Sequence, residues 1–73
     1  MERQSVKSSR IKEVAYDKAK QELWVLYRNG QRYRFDEVPQ NFYLEMLMAK
    51  SIGTYFFDNI RYSFPNKLMP TES

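Results

Sequence analysis

The segment from Leu23 to Phe35 limits the folds open to this chain more than any other stretch. It reads LWVLYRNGQRYRF, with core-type residues at every second position of two short runs and Asn29-Gly30 between the runs. A period of two is typical of a strand with one buried face. Asn-Gly is a strong hairpin signal because glycine takes a positive φ without steric cost. The segment therefore predicts a β-hairpin.

Two registers are open to this hairpin. A two-residue turn would pair Leu26 with Tyr33, whereas a three-residue loop with Gly30 as a left-handed bulge would pair Val25 with Tyr33. A slip of one residue moves every side chain to the other face, so burial decides between them. The second register is favoured because it keeps arginines off the apolar face. It assigns to the core Leu23, Val25, Tyr27, Tyr33 and Phe35, and to the opposite face Trp24, Leu26, Arg32 and Arg34.

A further strand precedes the hairpin. Its apolar residues are Ile11, Val14 and Tyr16, and the first step is one residue out of strict alternation. That slip predicts a bulge near Lys12-Glu13 or two short strand pieces. The polar stretch 17–20 then predicts a turn.

After Val38-Pro39 the period becomes helical, and proline suits a first helical position. Ser51 is expected to cap a second helix. Gly53 lies in the first turn of that helix, which predicts close packing or a close backbone approach there. The expected fold is α+β: a small antiparallel three-stranded sheet followed by two short helices packed on one face (β-β-β-α-α). A single domain covers 1–73, with a core from about 6 to 65, a frayed end at 1–5 and a polar tail at 68–73.

Composition narrows the function classes. The chain has 73 residues, no cysteine, no histidine and a formal net charge of +3. Nucleophilic and acid–base catalysis have few candidate groups in such a chain, so we expect no catalytic residue, cofactor or metal. No stretch approaches the roughly 18 apolar residues of a membrane span, and the N-terminal stretch has no signal-peptide pattern. We expect a cytoplasmic protein with no membrane partner.

The predicted outer face of the hairpin is the first candidate binding surface. An exposed Trp24 beside arginines suits stacking on a base of RNA or single-stranded nucleic acid, with phosphates on the guanidinium groups. The same residue types are enriched at protein interfaces, so a protein-interaction or inhibitor domain, including a homodimer, stays open, as does a partly covered structural face. The residues of this prediction are Trp24, Leu26, Arg32 and Arg34, with the Tyr33 hydroxyl at the rim.

Several short motifs along the chain carry a family resemblance. They are Ser8-Ser9-x-Ile11, Tyr16-Asp17, Tyr33-Arg34-Phe35, Val38-Pro39, and Ser51-x-Gly53-x-Tyr55-Phe56 followed by Ile60-Arg61. Together they span about Val6 to Pro65, and the sequence resembles the KTSC domain. That domain occurs alone in small bacterial or phage-type proteins and at the C-terminus of some lysyl-tRNA synthetases. The resemblance implies RNA binding and no catalytic activity.

The sequence departs from the family pattern at a few positions. Ala15 stands where a glycine is usual, Phe35 replaces the second tyrosine of the central motif, and Phe57 replaces a small polar residue. Trp24 and Leu26 occupy positions that are more often polar. The change at Phe35 removes a hydroxyl, which puts in doubt any role that requires both tyrosines.

The family motifs also draw together a second candidate cluster that would bind an anion. Backbone N–H groups after Ser51 can hold a phosphate or nucleotide, with charge from Lys50 or Arg61. In the alternative, Ser51 is only a helix cap and the two N-terminal serines bond the neighbouring backbone. The members of this cluster are Ser8, Ser9, Arg10, Lys50, Ser51, Gly53, Tyr55 and Arg61.

Overall fold

The chain forms a five-stranded antiparallel sheet, with two helices inserted between the fourth and fifth strands. The computed structural model describes residues 3–70. The strands follow chain order across the sheet and are β1 (Arg3–Ser5), β2 (Ile11–Asp17), β3 (Glu22–Tyr27), β4 (Arg32–Phe35) and β5 (Asn66–Met69). The helices are α1 (Gln40–Met48) and α2 (Ile52–Asn59). This is the α+β class predicted from the sequence, and no helix in 3–70 is long and apolar enough to cross a membrane.

The prediction of three strands is wrong because both ends of the described chain extend the sheet. Residues 3–5, expected to fray, pair with β2, and residues 68–69, expected to be tail, pair with β4. Both new strands are short edge strands of mostly exposed residues, so neither shows a period of two. Backbone hydrogen bonds to a neighbouring strand hold both of them in the sheet. Residue 70 follows the end of β5, and residues 1–2 and 71–73 of those two predictions lie outside the described residues.

The hairpin register is the one favoured by the burial argument. Val25 lies opposite Tyr33, and the backbone N–H of Tyr27 donates to Gln31 O at 2.8 Å. Gly30 has φ +92°, the left-handed conformation that the three-residue loop requires. The predicted bulge is also present, since the β2–β3 register shifts between Ile11 and Glu13.

The helices cover one face of the sheet and enclose the core there. Phe56 from α2 meets Phe35 from β4 edge to face, with ring centroids 5.2 Å apart, and both side chains are fully buried. Burial of each such ring contributes about 1.5–3 kcal/mol. The fully buried core side chains are Phe35, Phe56, Ile11, Leu23, Met46, Ile60, Val14, Val25 and Val38.

The start of α2 is shaped by two predicted features. The Oγ of Ser51 accepts a hydrogen bond from Thr54 N at 3.2 Å, which confirms the cap. A Cβ placed on Gly53 would lie 2.9 Å from the Oγ of Ser8, so the missing side chain lets the loop between β1 and β2 pack against the helix. Pro39 takes the capping position of α1, one residue before the predicted place.

Candidate functional site

Arg61, directly after the C-terminal cap of α2, lies in a cage of aromatic rings. Its guanidinium carbon is 5.8 Å from the ring centroid of Tyr27, 5.7 Å from Tyr33, 5.8 Å from Phe57 and 5.4 Å from Tyr62. These distances fall within the range of cation–π attraction. The two sheet tyrosines are brought here by the bulged hairpin register, which places both on the face toward the helices.

A hydrogen bond fixes the guanidinium inside the cage. Arg61 Nη1 donates to the hydroxyl oxygen of Tyr27 at 2.7 Å. Burial raises the pKa of Tyr27, while the charge of Arg61 opposes that shift. The neighbouring Tyr62 makes the largest contribution to a raised pKa of Arg61. The phenol is therefore neutral and the guanidinium charged over the whole physiological pH range.

The cage forms one wall of an open cleft of about 440 Å³ at the end of the sheet. Arg10 also lies here, with its guanidinium carbon 5.2 Å from the ring centroid of Phe57. Three arginines and no acidic residue line the cleft. The lining residues are Ser9, Arg10, Tyr27, Arg28, Asn29, Gln31, Tyr33, Phe57, Arg61 and Tyr62.

The loop between β1 and β2 holds two of these arginines in place. The Oγ of Ser8 accepts from the backbone N–H groups of Arg10 and Ile11, both at 3.3 Å. Arg28 Nε donates to Ser8 O at 2.6 Å, which ties the hairpin turn to the same loop. Through Gly53 this loop also rests against α2. Ser8 thus organises the cleft and uses its own polar atoms within the chain.

A second groove of about 460 Å³ adjoins the cleft, and the two share Ser9, Arg10 and Phe57. Six of the eight residues predicted as an anion site line this groove, namely Ser8, Ser9, Arg10, Lys50, Ser51 and Gly53. The other two do not: Arg61 lines the cleft, and the hydroxyl of Tyr55 donates to Glu45 at 3.1 Å. The hydroxyl of Ser51 is engaged too, because it donates to Thr54 Oγ1 at 3.0 Å.

The residues of the first predicted binding surface, apart from Tyr33, lie on the opposite face of the sheet. Trp24, Leu26, Arg32 and Arg34 are half-buried on the face without helices, as the register argument predicted. Arg34 is already neutralised there, since its Nε lies 2.8 Å from Asp36 Oδ1 and 3.9 Å from Glu22 Oε2. Tyr33 is separated from this group and lies half-buried in the cleft on the other side.

Charge distinguishes the two faces. Arg34 is the only basic residue within 3–70 that has a carboxylate oxygen within 4.0 Å. The three cleft arginines have no such partner among the described residues. The cleft combines four aromatic rings with three arginines and no acidic residue, whereas the groove that Trp24 and Arg32 line on the other face also contains Glu13.

Sequence reasoning missed much of this cleft. The residues it did not single out as binding candidates are Tyr27, Arg28, Asn29, Gln31, Phe57 and Tyr62. One signal was present: the favoured register places Tyr27 and Tyr33 side by side at the turn end of the hairpin, next to Arg28. The approach of Arg61 depends on how α2 packs, and the sequence pattern does not contain that information.

The fold and the site define a small α+β domain with helices on one face of an antiparallel meander and a basic, aromatic cleft at its end. The model of the KTSC domain family matches residues 7–64. Because this match covers most of the chain, the chain belongs to the KTSC domain family, in agreement with the resemblance seen in its motifs.

Two relatives illustrate the similarity. The crystal structure of a KTSC domain protein from Yersinia pestis superimposes with a TM-score of 0.91 at 29% sequence identity, covering 94% of this chain and 97% of that one. An uncharacterized protein of Stutzerimonas stutzeri (strain A1501) is 34% identical over 56 residues, which is 77% of this chain and 79% of the relative. The five-stranded fold is thus similar to that of a solved family member.

Proposed function

We propose that this chain is a non-enzymatic module that binds RNA or other single-stranded nucleic acid, and that the cleft around Arg61 is the binding site. The supporting observation is the coincidence of four aromatic rings with three arginines that have no carboxylate partner in residues 3–70. We propose the cytoplasm as the compartment, because RNA is available there.

Each part of the cleft matches one part of a nucleotide. Tyr62 is 83% exposed, so its ring is open to a stacking base. Stacking of a base on an aromatic side chain contributes about 1–3 kcal/mol. The free N–H donors of Arg10 and Arg28 suit phosphate oxygens, and charge-assisted bonds of this kind are among the stronger hydrogen bonds. An unpaired strand is favoured over a duplex because only unstacked bases offer their faces.

Fluorescence anisotropy with a labelled oligouridine tests the proposal. Tyr62→Ala should weaken binding by about fivefold or more, the value of one lost stacking contact. Arg10→Gln should weaken binding and lower the slope of log affinity against log salt by about 0.7, the value for one phosphate contact to a single strand. Both side chains are exposed, so the fold should be retained, and circular dichroism checks this.

Arg32→Gln is the matched control, because it removes one positive charge on the opposite face without disturbing an ion pair between described residues. It should leave the affinity nearly unchanged. Equal losses from Arg32→Gln and Arg10→Gln would point to non-specific charge attraction. Absence of any binding at low salt would refute the proposed function.

A protein contact through the sheet face without helices is the second candidate function. Trp24 and Leu26 lie on that face, and the Nε1 of Trp24 is buried without a hydrogen-bond partner in the described part of the chain. Light scattering over a wide range of protein concentration tests self-association. A dimer that Leu26→Lys converts to a folded monomer would support this role, whereas a monomer throughout would exclude a homodimer.

A further inference from the structure

We propose that the bound strand continues from the Arg61 cleft into the adjoining groove, where Lys7 and Lys50 hold its sugar–phosphate backbone. This inference rests on the proposed function and extends it. It assigns bases to the cleft and the following phosphates to the groove, so the binding site is longer than one nucleotide.

The cleft and the groove are continuous with each other. The cleft and the groove measure about 440 and 460 Å³ and have Ser9, Arg10 and Phe57 in both their walls. Arg10 lies over the Phe57 ring, so the boundary between the two cavities is itself an exposed cation beside an aromatic ring. A strand that stacks in the cleft and contacts Arg10 has therefore reached the entrance of the groove.

The groove carries an excess of positive charge. The groove is lined by Lys7, Arg10 and Lys50 against a single acidic residue, Asp58. Both lysines are exposed, and neither has a carboxylate within 4.0 Å in residues 3–70. Lysine is a compact, mobile charge that suits phosphate without demanding one geometry. Backbone contacts of this kind position a strand and do not read its sequence.

The two cavities differ in the residues that line them. The cleft contains four aromatic rings, whereas Phe57 is the only ring in the groove. The remaining uncharged groove residues are mainly hydroxyl-bearing, namely Ser8, Ser9, Ser51 and Thr54. Ser8 and Ser51 already bond within the chain, which leaves the lysines as the principal groups for an anion. Bases are therefore expected in the cleft and phosphates in the groove.

The test compares oligouridines of different length on two double variants. Lys7→Gln/Lys50→Gln removes the two groove charges. Lys18→Gln/Lys20→Gln removes two exposed charges from the β2–β3 turn, at the far end of the sheet from the cleft, and is the matched control. Binding is measured by anisotropy over a salt series, with a dinucleotide and with a strand of about six nucleotides.

The wild-type protein should bind the longer strand more tightly than the dinucleotide. Lys7→Gln/Lys50→Gln should reduce the affinity for the longer strand several-fold, leave the dinucleotide nearly unaffected, and lower the salt slope by about 1.4, at roughly 0.7 for each phosphate contact. The control variant should keep the wild-type preference for the longer strand and should lose neither the affinity nor the salt slope.

Equal effects of the two double variants on the longer strand would overturn the inference, and so would equal losses for both ligand lengths. In either case the proposed function survives if Tyr62→Ala and Arg10→Gln still weaken binding. Failure of the proposed function gives a different result, because then neither length binds at low salt.

Discussion

Gly53→Ala is the substitution whose outcome the structure predicts most sharply. The new Cβ would lie 2.9 Å from the Oγ of Ser8 and would meet no other atom within 4 Å outside its own helix and chain neighbours. Real Cβ atoms essentially never approach another heavy atom this closely, so Ser8 must move. We expect that movement to weaken or break the hydrogen bonds that Ser8 Oγ accepts from Arg10 N and Ile11 N.

Two opposing effects set the change that Gly53→Ala makes in the free energy of unfolding. Two long backbone-to-side-chain bonds contribute about 0.5–1 kcal/mol each, so their loss costs about 1–2 kcal/mol. Alanine in a helix is favoured over glycine by up to about 1 kcal/mol. The net destabilisation should be up to about 1 kcal/mol, which corresponds to a fall of up to about 4–8 °C in Tm for a domain of this size. Oligonucleotide affinity should fall as well, because Ser8 positions Arg10 and Arg28.

The decisive measurement is a double-mutant cycle of Gly53→Ala and Ser8→Ala. Urea denaturation gives the free energy of unfolding of the wild type, both single variants and the double variant. Without the hydroxyl, the new Cβ at position 53 has room, and only the helix preference remains. Gly53→Ala should therefore destabilise the wild-type protein and stabilise the Ser8→Ala variant by up to about 1 kcal/mol. If Gly53→Ala has the same sign and size in both backgrounds, the contact with Ser8 is not the reason for glycine, and the explanation given for this position fails.

Three further predictions concern stability. Phe56→Ala should lower the free energy of unfolding by about 3–5 kcal/mol, because the ring is fully buried against Phe35 and its loss leaves a cavity. Urea denaturation measures this change, and a loss under about 1 kcal/mol would contradict the burial of this ring in the core. Gly30→Ala should lower Tm by several degrees through its φ of +92° alone, since nothing lies within 4 Å of the added Cβ, and Gly30→Asn should lower it less. Burial raises the pKa of Tyr27 in the folded state above that of the unfolded chain, so its contribution to stability is complete below about pH 10 and is lost as the pH rises through the folded-state pKa. Alkaline denaturation of wild type and Tyr27→Phe measures this, and identical pH dependence above pH ~10 would contradict it.

Local patterns predicted the hairpin and the cap of α2. The register followed from Asn29-Gly30 and from the rule that charges avoid a buried face, both of which operate over a few residues. Ser51 was recognisable for the same reason, because a cap and its partner at Thr54 are three positions apart. Even the bulge at Lys12 left a trace in the spacing of Ile11 and Val14.

The two edge strands left no such trace. A strand whose side chains are exposed on both faces is stabilised mainly by backbone hydrogen bonds to its neighbour. The backbone groups are the same for almost every residue type, so such a strand leaves little pattern in the sequence. Residues 3–5 and 66–69 are largely exposed, so their sequences carry little preference for a strand. The predictions of a frayed end and a polar tail failed at residues 3–5 and 68–69 for this reason.

For the candidate site, the sequence by itself determined which residues face the helices and which face away. Only the tertiary structure decided that the helix side holds the basic, aromatic cleft, while Arg34 on the other side is neutralised by Asp36 and Glu22. The physical reason is distance along the chain. Arg61 reaches the hydroxyl of Tyr27 across 34 positions, and that contact depends on the packing of α2 against the sheet through buried residues such as Phe56 and Ile60. The period of a strand shows which of its residues point to the core, but only the packing of the core determines which helix residues contact them.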